Sequence, residues 1–488
     1  MREVNGLRLK GVPKEDGPIL HTMITWQSKS NRILFKTAAL MATKAFLITN
    51  IGFAAPLSDY SQRTEKVSKS RIKEQGDKSN ENYNIIIVLI DALRFDHLGC
   101  YGYKKDVSSN IDKISEKSLI FENAISQATW TKPAVVSLFI SDYIKDHGVT
   151  IYTNNYTDPI MNNVLPSSSV TLAEVLSMHG YKTKAIINNP FIKKGFGLDQ
   201  GFGEYDFIGS DHNQTSHALD WIKKNINIKF FLYIHYMAPH ADYCPPEGYK
   251  SKYKSQYKGT IDFRRKHQIF FNNLDMSQED IEELRARYDG EINYVDSEVH
   301  RLVSYLQKKN LLKKTIIIIT ADHGEALAEN KVVGHGHKLN TVIQVPLIVL
   351  LPWNYSQQRI SNVVELIDIA PSALTQLNIE VPPSFKGINI FNIDDNTREK
   401  FGFSQSGEWV IIRNKDYIFK TNTNKTVLYN LNSDPFEFTD ISKDNIRQVE
   451  IFMSAYNLFQ SKQDKIEMDY QVIDEETKEQ LKALGYLQ

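Results

Sequence analysis

Residues 316–320 read Ile-Ile-Ile-Ile-Thr, an unbroken β-branched run. A run this short and this apolar reads as a strand buried on both faces, as in a parallel sheet. It stops abruptly in Ala321-Asp322-His323-Gly324-Glu325. A carboxylate and an imidazole at the carboxyl end of a buried strand sit where open α/β sheets place their sites. His335 and His337 follow in a Gly-His-Gly-His segment. One Asp and three His so close together offer oxygen and nitrogen ligands to a divalent metal. They serve equally well as a polar loop whose histidines bond to backbone.

A second strand of the same kind tips the balance. Residues 85–90 are Ile-Ile-Ile-Val-Leu-Ile, and Asp91 follows at the tip. Further on, Pro133 favours a helix start, and the apolar run 134–139 continues it. Thr131 then lies at a helix N-terminus, where backbone N–H groups and the helix dipole favour an anion. Its hydroxyl is a candidate nucleophile there, although capping the helix is the commoner role for a Thr at such a position. Residues 171–188 give a helix, a turn at Gly180 and a strand ending at Asn188, one unit of an α/β repeat. The apolar run 230–236 carries His235 and leads to His240 in a Pro-containing loop, a candidate site wall. Lys250 opens a basic, aromatic stretch to His267 that reads as a surface excursion near the site mouth.

The helix expected over 289–312 puts Ile292, Val295, Val299, Leu302, Val303 and Leu306 on one face. Residues 345–353 form one more buried strand, and a helix begins at Asp368. After 386 come short alternating strands, with turns at Asn414-Lys415 and 432–435, then a closing helix. The fold class expected is α/β: a large mixed, mostly parallel sheet flanked by helices, with a small C-terminal antiparallel sheet plus helix. The divisions are 1–82 (targeting and linker), 83–385 (catalytic) and 386–488 (C-terminal subdomain).

In the N-terminal part, Lys36 and Lys44 interrupt the apolar stretch 33–57, leaving only 45–57 clean. That is too short to span a bilayer but fits the apolar core of a signal peptide. The expectation is export to a periplasmic or extracellular space. A buried or amphipathic helix in a cytoplasmic protein is the alternative. Lys+Arg and Asp+Glu are both 58, so no global charge points to nucleic acid. Two cysteines, Cys100 and Cys244, are too few for a disulfide framework or a zinc cluster.

Six segments in this order resemble the sulfatase family of the alkaline phosphatase superfamily. They are IDALRFDHLGCYGY, TKPAVVSLF, LYIHYMAPH, YDGEINYVD, TADHGE with its GHG…VPLIV continuation, and LYNLNSDPFE. The resemblance implies metal ligation by Asp91, Asp322 and His323, and a nucleophile at Thr131. It implies that His240 and His335 contact the transferred or leaving group. Asn188, His235, His337 and Lys132 are the expected substrate-binding residues around them. The chain departs from the family pattern where it has Thr131 for the Cys or Ser that becomes formylglycine. It has Val135 for the motif's Arg, Ala92 for the second Asp of a pair, and Asn188 for an active-site Lys. Threonine is not a substrate for that conversion, and Thr nucleophiles occur in the superfamily's phosphoester-cleaving and phospho-group-transferring branches.

The expected chemistry is hydrolysis of sulfate or phosphate esters through a covalent Thr131 intermediate, the substrate being a small molecule or a glycan. Oxygen-rich ligation with one His suits Ca²⁺, Mg²⁺ or Mn²⁺ better than Zn²⁺. Two other readings stand beside it. One is a transferase moving a phospho-alcohol group onto a glycan or lipid, with membrane attachment through 33–57. The other is an inactive binder of anionic sugars, which Ala92, Val135 and Asn188 favour.

Overall fold

The computed structural model describes residues 83–488, apart from 151–160, 251–256, 260, 264–275, 354–355, 393–400, 462–468, 473 and 484–488. The targeting segment and linker expected in 1–82 lie outside the described residues, as does much of 250–267.

The two β-branched runs form neighbouring strands at the middle of one sheet. Strand β1 (Asn84–Ile90) pairs in parallel with β6 (Thr315–Thr320), Ile86 opposite Ile317. Every residue of both is buried. Burial on both faces removes the period-two alternation that a half-exposed strand would show. Each Ile side chain so enclosed contributes about 1.5–3 kcal/mol of hydrophobic stabilisation.

The remaining strands of this sheet are β2 (Leu119–Ile125), β3 (Lys182–Ile187), β4 (Glu204–Phe207), β5 (Phe230–Tyr236), β7 (Gln344–Leu350) and β8 (Gln358–Glu365). Their spatial order is β8-β2-β7-β6-β1-β5-β3-β4. Only β7 opposes its neighbours, β2 and β6. All other pairings are parallel. The sheet is therefore mixed and mostly parallel, as expected.

Helices flank it. Helix α1 (Ser109–Ser115) precedes β2, and α2 (Thr131–Ile140) follows it. Helix α3 (Leu172–Met178) starts in a capping box, in which Thr171 and Glu174 satisfy each other's backbone N–H groups. Helix α4 is Asp211–Lys224, and α5 is Gln278–Lys308. Helix α5 starts eleven residues before the expected 289, because Ser277 and Asp280 form a second capping box upstream. Helix α6 (Ile369–Gln376) begins one residue after Asp368. All ten residues of α2 are buried, so it is a core helix with no solvent-exposed face.

The C-terminal sheet is an antiparallel meander of β9 (Gly402–Ser406), β10 (Trp409–Arg413), β11 (Tyr417–Thr421) and β12 (Thr426–Asn430). Helix α7 (Ile446–Ser461) packs Phe452 and Phe459 against it. Strand β9 had no clear sequence signal, because Gly, Ser and Gln at its positions carry little β-propensity. Cys100 and Cys244 are unpaired. No helix among the described residues is long and apolar enough to cross a membrane.

Candidate active site

The parallel strands deliver their carboxyl ends to one edge of the sheet, and the site residues collect there. Asp91 follows β1 directly, and Asp322 lies two residues beyond β6. Both are fully buried. His235 sits near the end of β5, also fully buried. Ligand atoms of Asp91, His235 and Asp322 all lie within 4.8 Å of one another.

His323 completes the group. Its Nε2 is 3.6 Å from Asp91 Oδ1, 3.4 Å from Asp322 Oδ2 and 3.4 Å from Thr131 Oγ1. Its Nδ1 lies 2.9 Å from the Gly324 carbonyl, which can only accept, so Nδ1 carries the proton. In the neutral ring Nε2 then turns its lone pair towards two carboxylates. That arrangement suits a divalent cation, and a metal-bound His characteristically donates its other N–H to a carbonyl. Gly324 is required for this turn: a Cβ there would meet the Thr341 carbonyl oxygen at 2.0 Å.

Two buried carboxylates facing each other repel. Burial, then the charge of Asp91, raises the carboxyl of Asp322 above its usual range. Burial pushes the His235 imidazole down to about 4, so it is neutral at pH 7. Its Nε2 lies 3.1 Å from Asp91 Oδ2, and Tyr233 Oη backs Nδ1 at 2.9 Å. The donor set of two carboxylate groups and the imidazoles of His235 and His323 fits a divalent metal. His235, expected in the wall of the site, thus lies beside Asp91 and Asp322.

Thr131 opens α2, and its side chain is fully buried. It caps nothing: the cap residue is Trp130, which makes no side-chain capping bond. The hydroxyl instead lies 3.5 Å from Asp91 Oδ2. Asn189 Nδ2 donates to Asp91 Oδ2 at 2.8 Å and to Thr131 Oγ1 at 3.2 Å. The Asn that reaches the centre is therefore Asn189, not Asn188. Strand β3 stops at Ile187, and Asn189 caps the short 3-10 turn Pro190–Ile192 with its oxygen while its nitrogen enters the site. Half-buried Asn188 makes no such contact among the described residues.

His335 lies over His323, and His240 lies against His335. The His323 and His335 ring centroids are 4.6 Å apart, and those of His240 and His335 are 4.9 Å apart. His240 Nδ1 donates to the Ala241 carbonyl at 2.7 Å. His335 Nδ1 lies 3.4 Å from buried Glu325 Oε1. Asp211, at the start of α4, accepts the Met237 and Ala238 N–H groups and so holds the turn leading to His240. Burial raises its carboxyl to about 6 despite those two bonds. Sequence reasoning missed Asn189, Glu325, Tyr233 and Asp211. Only Asn189 had a local signal, as the second Asn before Pro190.

Two expected substrate contacts point elsewhere. His337 Nε2 donates to the Val333 carbonyl at 3.3 Å. Gly336, at φ 81°, breaks the extended alternation that would have kept His335 and His337 on one side. Lys132 is one residue past Thr131, about 100° around the helix. Its ammonium donates to the Asn163 carbonyl and lies 5.1 Å from the Phe196 ring centroid. Burial pushes Lys132 from 10.5 down to about 7. Above that value the unfolded chain holds a proton that the folded chain lacks, so stability rises with pH, by at most about 1.4 kcal/mol per pH unit. Denaturant titrations between pH 7 and 10 should show this gain, and Lys132→Met should remove it. An unchanged slope in the variant would mean that Lys132 stays charged.

The departures from the family pattern have structural content. Val135 packs in the main core. Ala92 has φ 58°, and its N–H donates to Asp322 Oδ1 at 3.2 Å. A backbone donor thus contacts Asp322 next to the position where the family pattern has a further carboxylate.

A family model described as Sulfatase matches residues 83–379, more than half of the chain. The chain belongs to the sulfatase family of ester hydrolases. This sulfatase-family chain is 22% identical to iduronate 2-sulfatase of Mus musculus over 399 residues, 63% of this chain and 71% of that protein. It is 20% identical to an arylsulfatase of Clostridium perfringens, over 73% of this chain and 90% of that one. Among solved structures, a protein in complex with its substrate D-glucosamine-2-N,6-O-disulfate aligns with TM-score 0.64 and 16% identity, covering 78% of this chain and 97% of that one. Phosphonate monoester hydrolase of Agrobacterium radiobacter aligns with TM-score 0.63 and 17% identity, covering 78% and 95%. At these identities the structural likeness speaks for the fold.

Proposed function

We propose that this sulfatase-family hydrolase is metal-dependent, uses Thr131 as its nucleophile, and cleaves phosphorus esters in preference to sulfate esters. One observation carries the reading. The Thr131 hydroxyl opens a buried helix yet caps nothing, and lies instead between Asp91, His323 and Asn189. In this reading residues 83–385 form the catalytic part and 386–488 a subdomain braced against it.

Asp91, Asp322 and His323, with His235 in reach, would hold a divalent cation, Ca²⁺, Mg²⁺ or Mn²⁺ by donor chemistry. When bound, it supplies positive charge that acidifies a neighbouring hydroxyl and screens ester oxygens. The Thr131 proton leaves towards Asp91 Oδ2, while Asn189 Nδ2 donates to Oγ1 and steadies the developing alkoxide. Oγ1 attacks phosphorus in line, the bond to the leaving oxygen breaks, and protonated His240 or His335 gives that oxygen a proton. N–H groups at the start of α2 stabilise the equatorial oxygens. Water then attacks the phosphothreonine and gives a proton to the same histidine, the P–Oγ bond breaks, and Asp91 returns its proton to Thr131 Oγ1. Threonine lacks the second hydroxyl of an aldehyde hydrate, so release depends on water reaching the transferred group. That requirement underlies the preference for phosphorus.

The test is turnover of p-nitrophenyl sulfate, phosphate and a phosphodiester after chelation, with each cation added back. Metal-dependent release from a phosphorus ester, faster than from the sulfate, is expected. A clear preference for sulfate would overturn the Thr131 argument. The same assay on glycan esters addresses the substrates of the relatives, which include a disulfated glucosamine.

A further inference from the structure

Tyr288 opens the YDGEINYVD segment and is fully buried in α5. Its hydroxyl donates to the Ala92 carbonyl at 2.7 Å and accepts from the Arg94 N–H at 2.8 Å. One phenol therefore clasps the backbone on both sides of Leu93, in the turn that follows Asp91.

The clasped turn is strained. Ala92 has φ 58°, a left-handed conformation that Gly, Asn and Asp adopt far more readily than Ala. A methyl group offers no local hydrogen bond to hold it there. The Ala92 N–H nevertheless reaches Asp322 Oδ1 at 3.2 Å, beside the His323 N–H at 2.9 Å. With two N–H groups on Oδ1, it is Oδ2 that turns towards His323 Nε2, 3.4 Å away. The far side of the turn is tied to the same loop. The buried Arg94 guanidinium donates to the Glu325 carbonyl at 3.2 Å and to Glu329 Oε1 at 2.9 Å. The segments after β1 and β6 are thus joined directly, and Tyr288 fixes the first of them from a third element.

We propose that Tyr288 is a positioning residue of the metal centre. By holding Ala92 left-handed it keeps the Ala92 N–H on Asp322 Oδ1, so that Asp322 presents one oxygen, Oδ2, to the cation. This inference rests on the metal reading given above. The clasp matters most for a cation with strict geometry. Mg²⁺ demands a near-octahedral shell, whereas Ca²⁺ accepts flexible shells and carboxylates that offer both oxygens. Without the clasp the Ala92 N–H leaves Oδ1 and the carboxylate is free to turn. Ca²⁺ tolerates that freedom and Mg²⁺ does not.

The test is calorimetric titration of the chelator-treated full chain with MgCl₂ and with CaCl₂. Tyr288→Phe removes only the hydroxyl. It should bind Mg²⁺ about 10–100-fold more weakly than the parent, the scale for losing a group that orients a metal ligand, and lose much less Ca²⁺ affinity. Ala92→Gly in the Tyr288→Phe background should recover most of the Mg²⁺ affinity, because glycine adopts the left-handed conformation without a clasp. Loss of a merely structural hydrogen bond would weaken both cations alike and would not be mended at residue 92. Should Tyr288→Phe fail to fold, Ala92→Val carries the test. Its β-branched side chain resists the left-handed turn while Tyr288 stays in place, and Mg²⁺ should again weaken more than Ca²⁺. Equal losses for the two cations, or no recovery in the double variant, overturn the proposal. Unchanged Mg²⁺ affinity in Tyr288→Phe, beside a parent that binds Mg²⁺, overturns it alone and leaves the metal reading standing. A parent that binds neither cation overturns both together.

Discussion

Replacing Thr131 with alanine is expected to lower turnover by roughly 10⁴-fold or more, the scale seen when a covalent nucleophile is removed. The fold should survive. Thr131 makes no capping bond, so the usual cost of losing a helix cap does not apply. Its Oγ1 accepts from Asn189, but Asn189 keeps its shorter bond to Asp91. The stability loss should therefore stay near about 1 kcal/mol, one buried hydrogen bond. Thr131→Ser should retain a substantial part of the activity, because it keeps the hydroxyl. Acid quenching during turnover, followed by mass spectrometry, should find the transferred group on Thr131. Turnover by the alanine variant within tenfold of the parent would mean that another group attacks. An anionic-sugar binder would have no turnover to lose.

Asp322→Asn should separate catalysis from stability in opposite directions. The amide keeps the oxygen that accepts the Ala92 and His323 N–H groups. It removes one of two buried negative charges, and with it the repulsion that raises the carboxyl of Asp322. In chelator, the variant should be at least as stable as the parent. With metal, the parent should gain stability by mass action, about 2.7 kcal/mol at a hundred times the dissociation constant, and the variant should gain little. Metal-dependent turnover should fall by roughly 10³-fold, the stabilisation a fixed cation gives to a developing charge. Melting curves with and without Mg²⁺, Ca²⁺ or Mn²⁺, alongside rate measurements, read all three effects. An equal metal-induced shift in parent and variant would remove Asp322 from the metal site.

The buried strands and the carboxylates at their tips were legible in the amino-acid sequence because both signals are local. A β-branched run announces a strand, and the residue at its carboxyl end inherits the strand's position in the sheet. The start of α2 was legible for the same reason, since Pro133 favours a first turn wherever it falls. The direction of a side chain is not local. Thr131 reads as a cap until the fold sets Asp91, His323 and Asn189 around its hydroxyl. Asn188 and Asn189 are chemically identical in the chain, and only the end of β3 at Ile187 decides which one reaches Asp91. Lys132 and His337 look like site residues by proximity along the chain. Helical rotation turns the first away, and the left-handed Gly336 the second. His235 required the register of β5 against β1, with Leu89 opposite it, to bring its imidazole beside Asp91. The antiparallel β7 likewise depends on a partner distant in sequence, β2. Local patterns along the chain are enough to read the strands, their tips and the family. The tertiary structure decided which polar atoms face each other, because those distances are set by pairing and packing between segments that share no local pattern.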